Sequence, residues 1–309
     1  MELDPVGART RVLSCEFMCT LTTNDAVRDV DVRVVVLGIH GLNSHARHPN
    51  ARALAGALAT REVACVMFDL PGHGACREKR REKRGVFDGK VMTSMRAKEA
   101  LIEGLRAIGK TRTEVEIVIC GSSLGGALAI YVANEFGANK DFDIARVVLI
   151  NPLMKMKMPI SRAAKAAFGL AARIAPRFVV GGRPTDRSSA SDDGPDIDLD
   201  AEAQCDQDEL AWKSGVTLRT ACELYDLVDG NAETNALVNL SFRVPVLVIL
   251  GGRDEVVPMG EAIDKSKLAV GAGGKVEVKI FEKAGHSLTM QSRAKREEFF
   301  DLVARWRWE

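Results

Sequence analysis

Six runs rich in Val, Ile and Leu recur along the chain at intervals too wide for hairpins: DVRVVVLGIH (31–40), EVACVMFDL (62–70), EVEIVIC (114–120), ARVVLI (145–150), RVPVLVIL (243–250) and KVEVKIF (275–281). In most of them the apolar residues stand side by side. Strands that are covered on both faces read this way, and such strands belong to parallel sheets flanked by helices. ARALAGALATR, MTSMRAKEALIEGLRAIG and LGGALAIYVANEFG lie between the runs and have helical spacing. The alternation predicts an α/β fold with a mostly parallel central sheet. VLSCEFMCTL (12–21) is expected to add an antiparallel edge strand.

One interval breaks the rhythm. No such run appears between Asn151 and Phe242, which is too long for an ordinary connection. Residues 151–242 are therefore expected to form an inserted helical cap, with 1–150 and 243–309 as the two parts of the core. SRAAKAAFGLAARIA opens the cap as an Ala-rich, cationic helix, and VTLRTACELYDLV closes it as another. The acidic stretch between them, 183–209, reads as an exposed loop.

Composition removes several classes of function. With 43 basic and 42 acidic residues the net charge is +1, so no overall field draws the chain to nucleic acid. The amino terminus, MELDPVGARTRVL, lacks the apolar core of a secretory signal, and no stretch reads as a membrane span. Seven cysteines, an odd number without a CxxC pair, fit a reduced, cytoplasmic protein.

The run EVEIVIC breaks into Gly-Ser-Ser-Leu-Gly-Gly and resumes as a helix former. Strand, G-x-S-x-G, helix is the context in which a serine sits on a sharp turn with its Oγ held clear of the sheet. The positions two before and two after it must be small, because helix and strand pack together there. Centred on Ser123 these are Gly121 and Gly125; centred on Ser122 they would be Cys120 and Leu124. Ser123 is the candidate nucleophile.

A serine hydroxyl needs a base, and the base needs an orienting acid. In this architecture they follow in the order Ser, acid, His. Of five histidines, His286 alone follows the last strand, in EKAGHSLTM, and Asp254 follows the preceding one, in VLVILGGRDEVVP. Two backbone N–H groups are then needed for an oxyanion. Leu124 supplies one, and Leu42 the other from the loop HGLNSH, which His40 and Gly41 shape. His40, His45 and His48 have no neighbouring carboxylate or cysteine to complete a metal site, so no metal is expected.

HGLNSHARH, FDLPGHGACR, GSSLGGALA, NPL, GGRDEVVP and AGHSL together resemble the α/β-hydrolase superfamily, and within it the monoacylglycerol lipase/lysophospholipase-like group with a serine aminopeptidase S33 type of domain. The resemblance runs from about residue 32 to 305. It implies an α/β-hydrolase fold and the triad Ser123, Asp254 and His286. It also implies an oxyanion hole from Leu42 and Leu124, no cofactor, and hydrolysis of a carboxylic ester of a lipid-like substrate such as a monoacylglycerol or lysophospholipid. The same triad serves thioesterases, acyltransferases and peptidases, and a non-catalytic binding protein can share the scaffold.

Two other stretches resemble functional signals. GLRAIGKT (104–111) spells a phosphate-loop motif, but it closes a helix and precedes a strand, the reverse of the order a phosphate cradle needs. Gly109 reads instead as a helix C-cap. The basic run REKRREKR (77–84) reads as a solvated loop, with weak contact to an anionic membrane as the alternative. The cap helix, with Ile160, Phe168 and Ile174 among its cations, carries the same two readings.

Overall fold

The computed structural model describes residues 7–26, 28–59, 62–75, 85–182 and 197–306. In chain order the first part contains β1 (Ala8–Val12), β2 (Cys19–Asn24), β3 (Val34–Ile39), α1 (Pro49–Leu58), β4 (Val63–Phe68), α2 (Gly89–Ala107), β5 (Glu116–Ser122), α3 (Leu124–Asn139) and β6 (Ile144–Ile150). Then come α4 (Arg162–Ile174), β7 (Val179–Gly181), α5 (Leu199–Gln207), β8 (Val216–Thr217), α6 (Leu218–Glu233) and α7 (Ala236–Arg243). The chain ends with β9 (Val246–Gly251), α8 (Met259–Gly271), β10 (Val276–Phe281) and α9 (Arg293–Arg305).

Eight strands make one sheet in the order β1-β2-β4-β3-β5-β6-β9-β10. β1 and β2 are antiparallel additions at one edge, and the other six strands are parallel. All residues of β3, β4 and β9 are buried, as continuous Val/Ile runs require. Val35, Leu37 and Ile39 face a core shared with α2 and α3; Val34 and Val36 face a second core shared with α1 and α9. Each such side chain contributes about 1.5–3 kcal/mol on burial. Gly38 interrupts β3 for a steric reason: a Cβ there would lie 2.0 Å from Met67 Sδ.

The fold is that of the α/β-hydrolases. β4 pairs with one side of β3 and β5 with the other. Ligands bind at such a reversal, beyond the carboxyl ends of the strands. Register brings those ends level: Ile39 is opposite Gly121, Ser122 opposite Ile150, Ile150 opposite Ile249, and Gly251 opposite Phe281. Residues just past these ends therefore share one edge of the sheet.

Two expectations need correction. The edge strand expected over 12–21 is a hairpin, because residues 13–18 turn and the Leu13 N–H donates to Cys19 O at 2.9 Å. The acidic stretch expected as an exposed loop over 183–209 holds α5. The Asp198 carboxylate caps that helix, and Ala201 and Cys205, one turn apart, bury against Ala53 of α1. Residues 183–196 of that stretch lie outside the described residues. Within the stretch expected as a cap over 151–242, α6 packs on α2 and α3, and α7 on α3 and α8.

The cap is unevenly attached. α6 is fastened to the core: Thr217 Oγ1 donates to Gly85 O at 3.2 Å, and Thr220 Oγ1 accepts from the Phe87 N–H at 3.0 Å. α4 rests on α6 and buries Ala172 alone. Lys165 holds it there through Asp226 and Asp229 at 2.8 and 2.9 Å.

Candidate active site

β5 ends at Ser122 and α3 begins at Leu124, so Ser123 makes the turn by itself. Its backbone has φ 57° and ψ −119°, a conformation that costs an L-residue on the order of 1–3 kcal/mol. Neighbouring strands hold it in place. Its N–H donates to Ile150 O at 2.9 Å, and its carbonyl accepts from the Leu153 and Gly126 N–H groups at 3.0 Å. The flanking glycines have no room for side chains. A Cβ at Gly121 would lie 2.1 Å from Gly125 O, and one at Gly125 would lie 2.0 Å from Ile39 O.

The loop after β3 passes against this turn. A Cβ on Gly41 would stand 3.2 Å from Ser123 Cβ. His40 fixes the loop's course. Its Nε2 accepts the Leu70 N–H at 3.0 Å, so the ring proton is on Nδ1, which donates to Gly41 O at 2.8 Å. Burial holds this imidazole well below its usual range, which keeps it neutral. A peptide unit is planar with its C=O and N–H opposed, so fixing Gly41 O also fixes the direction of the Leu42 N–H. Among the described residues, neither the Leu42 nor the Leu124 N–H meets an acceptor.

Asp254 and His286 meet as the order of strands requires. Asp254 Oδ2 accepts from His286 Nδ1 at 2.7 Å, while Oδ1 accepts from the Val256 and Val257 N–H groups at 2.8 Å each. The Asp254 side chain is 1% exposed and acts only as an acceptor. This sets the proton of His286 on Nδ1 and leaves Nε2 as its basic nitrogen.

Ser123, His286, Leu42 and Leu124 all line a single cavity of about 940 Å³. Its walls are mainly apolar: Leu153, Met156 and Leu224 toward the cap, and Leu54, Met67 and Phe299 toward α1 and α9. A serine on a strained turn, a histidine oriented by a buried carboxylate and two unengaged N–H groups beside an apolar cavity are the parts needed for acyl transfer.

The sequence profile described as serine aminopeptidase, S33, matches residues 30–293, most of the chain. The chain belongs to this family of α/β-hydrolases. A search of curated proteins finds no significant relative. Among solved structures, it is similar to a soluble variant of monoglyceride lipase from Saccharomyces cerevisiae in complex with a substrate analog (TM-score 0.72, 17% identity, covering 99% of this chain and 96% of that one). It is also similar to a thermostable carboxyl esterase from Bacillus coagulans in complex with glycerol (TM-score 0.72, 15% identity, 97% of each chain). A third is a monoacylglycerol lipase from Paleococcus ferrophilus (TM-score 0.62, 20% identity, 88% of this chain and 93% of that one). At these identities the likeness is one of fold.

Sequence reasoning missed one residue that ties this site together. Asn151, just past β6, has φ 42° and is 1% exposed. Its Oδ1 accepts from the Gly251 N–H at 2.7 Å and its Nδ2 donates to His286 O at 2.6 Å, tying the β9 turn to the histidine's loop. The NPL triplet marked this position, and Asn tolerates a left-handed backbone better than most residues.

The remaining histidines bind backbone and side chains. His45 Nδ1 accepts from the Arg47 N–H, and its Nε2 donates to Asp208 Oδ2 at 2.8 Å. His48 caps α1 by accepting from Asn50. His73 donates to Pro71 O, and burial holds it down at about 4. The described residues contain no cluster of three or more His, Cys, Asp or Glu that would suit a metal. Gly109, at φ 68°, ends α2 ahead of β5, so GLRAIGKT closes a helix. The basic run 77–84 lies outside the described residues.

Proposed function

We propose that the chain is a serine hydrolase that cleaves carboxylic esters of lipid-like substrates, a monoacylglycerol or lysophospholipid, through an acyl-enzyme. Ser123 Oγ attacks the ester carbonyl and gives its proton to His286 Nε2. Asp254 stabilises the imidazolium, and the Leu42 and Leu124 N–H groups hold the tetrahedral oxyanion. His286 then protonates the departing alcohol. Water repeats the sequence on the acyl-enzyme and releases the acid. The observation that carries this reading is the His286–Asp254 pair at 2.7 Å with Ser123 in the same apolar cavity. Met156 and Met158, which line the cavity at the start of the cap, suit an acyl wall, since unbranched thioethers adapt to different chains.

The test is fatty-acid release from monoacylglycerols of increasing chain length by the protein and by Ser123→Ala. Release that rises with chain length and vanishes in the variant supports the proposal. Release confined to short esters keeps the chemistry and removes the lipid. Absence of Ser123-dependent release on any ester refutes it and favours a binding protein.

The outward face of α4 favours an anionic lipid surface as a partner. Leu170 and Ile174 share that face with Ala163 and are 62% and 83% exposed, with Arg162 and Arg173 along the edge and Phe178 just beyond. Among the described residues no helix is long and apolar enough to cross a membrane. Sedimentation with phosphatidylglycerol vesicles should fall for Leu170→Glu/Ile174→Glu and with added salt; equal sedimentation of both proteins would remove this partner.

A further inference from the structure

The cavity that Ser123 lines draws its walls from two groups of elements. Toward the cap it is walled by Leu153, Met156 and Leu224; on the other side it runs between α1, α5 and the segment that follows His286. The two lobes have different chemistry available to them. In ester cleavage the departing alcohol must lie within reach of the imidazole that protonates it. Ser287, Leu288, Thr289 and Met290 lead from His286 straight into the wall of the second lobe. That lobe is therefore on the leaving-group side, and the cap-side lobe is left for the acyl chain.

α5 closes the leaving-group lobe, and it is clamped along its length. Before the helix, Ile197 bridges to Gln291 and the Asp198 N–H donates to Met290 O at 2.7 Å. At its N-cap, Asp198 pairs with Arg296 at 3.0 Å. Just past its end, Asp208 accepts from His45 at 2.8 Å, and in its last turn Cys205 Sγ donates to Asn50 Oδ1 at 3.3 Å. Glu202, Cys205 and Asp206 of this helix line the cavity beside Asn50, and Cys205, the buried one of the three, packs with Ala53, Ala201 and Met290. A wall held at both ends cannot simply swing away from a large group, so the volume of the side chain at 205 limits what fits.

We infer that α5, the helix within the acidic part of the insert, is the wall of a leaving-alcohol lobe and that Cys205 determines how bulky an alcohol the enzyme releases. The inference rests on the serine-hydrolase reading and goes beyond it by dividing the cavity between the two halves of the ester. A compact alcohol such as a monoacylglycerol's glycerol is accepted and a bulkier one, aromatic or the glycerophosphate head of a lysophospholipid, is rejected, largely independently of acyl length.

Two ester series test it: butyrates of methanol, butanol and benzyl alcohol, and methyl esters from butyrate to decanoate. The comparison is the selectivity ratio within each series, for the unaltered protein, Cys205→Leu and Cys205→Ala. Cys205→Leu should shift the benzyl-to-methyl ratio of kcat/KM downward by roughly tenfold or more, the size of effect a methylene has in an apolar pocket. Cys205→Ala should shift it upward, and neither should change the ratio along the acyl series. The smaller residue leaves the α5 packing free of overcrowding, so its result stands even where Cys205→Leu folds poorly. A shift in the acyl series, a uniform fall across both series, or unchanged ratios in Cys205→Ala would each overturn the inference. Failure of the underlying reading looks different: the unaltered protein and Ser123→Ala would then match on every ester.

Discussion

Replacing Asn151 tests whether the sheet edge holds His286 through one buried amide. Asn151→Ala leaves the Gly251 N–H without its acceptor and the His286 carbonyl without its 2.6 Å donor. Each buried group stranded in this way costs about 1–3 kcal/mol, and placing alanine at φ 42° adds about 1 kcal/mol. The sum is roughly 3–7 kcal/mol, a large part of the 5–15 kcal/mol that keeps a domain folded. With a urea m-value of about 3 kcal/mol/M, the denaturation midpoint should fall by roughly 1–2 M. Asn151→Gly separates the two contributions, since it removes the amide but is at ease at positive φ, and it should recover about 1 kcal/mol. A midpoint within 0.3 M of the unaltered protein (about 1 kcal/mol) for Asn151→Ala would refute the reasoning, and the amide would then be one contact among many.

Other outcomes follow from the same geometry. Asp254→Asn keeps the acceptor for Val256 and Val257 but turns an NH2 toward His286 Nδ1, favouring the wrong tautomer; kcat on a short ester should fall by about 10⁴ with the melting temperature little changed. Gly125→Ala, whose methyl would lie 2.0 Å from Ile39 O, should abolish soluble folded protein, whereas Gly41→Ala, with 3.2 Å to Ser123 Cβ, should fold and lose activity; circular dichroism and ester turnover distinguish the two. Acid should destabilise the fold. His40 and His73 are held below the ordinary histidine value near 6.5, so unfolding takes up protons, and their contribution is complete above that value and is lost as pH falls toward 4. His73 alone accounts for about 3 kcal/mol over that window. Asp69, whose carboxyl is raised by burial, works in the opposite sense. Urea midpoints that stay level from pH 7 to pH 5 would contradict the histidine assignment.

The sheet was readable because burial on both faces removes polar residues from β3, β4, β5 and β9, which leaves an unambiguous run. Asp254, His286 and Ser123 were readable for a related reason: each stands just beyond such a run, where a parallel strand delivers its next residues to a common edge. The hairpin at 13–18 was not readable. SCEFM holds no Gly, Pro or Asn, and its turn is held by contacts from α2, where Glu99 accepts the Glu16 N–H and Arg96 lies over the Phe17 ring. α5 was hidden by its acidity, which resembles that of an unfolded segment. Its two buried residues, Ala201 and Cys205, are too small to announce a face. Asn151 was seen as part of a motif, but its work is done by a side chain reaching two other turns, and linear sequence carries no sign of them.

The single peptide plane shared by Gly41 and Leu42 has a further consequence. Its carbonyl edge is locked by His40 Nδ1 at 2.8 Å, and His40 is itself locked by Leu70 at the end of a neighbouring strand. A rigid plate pinned along one edge has no freedom at the other, so in the proposed hydrolysis the Leu42 N–H would be aimed at the oxyanion before any substrate arrives. Water would have to rotate its dipoles anew for each such charge, at a cost repeated in every reaction. Here the orientation is established once, when the chain folds, and each turnover of the proposed reaction would inherit it.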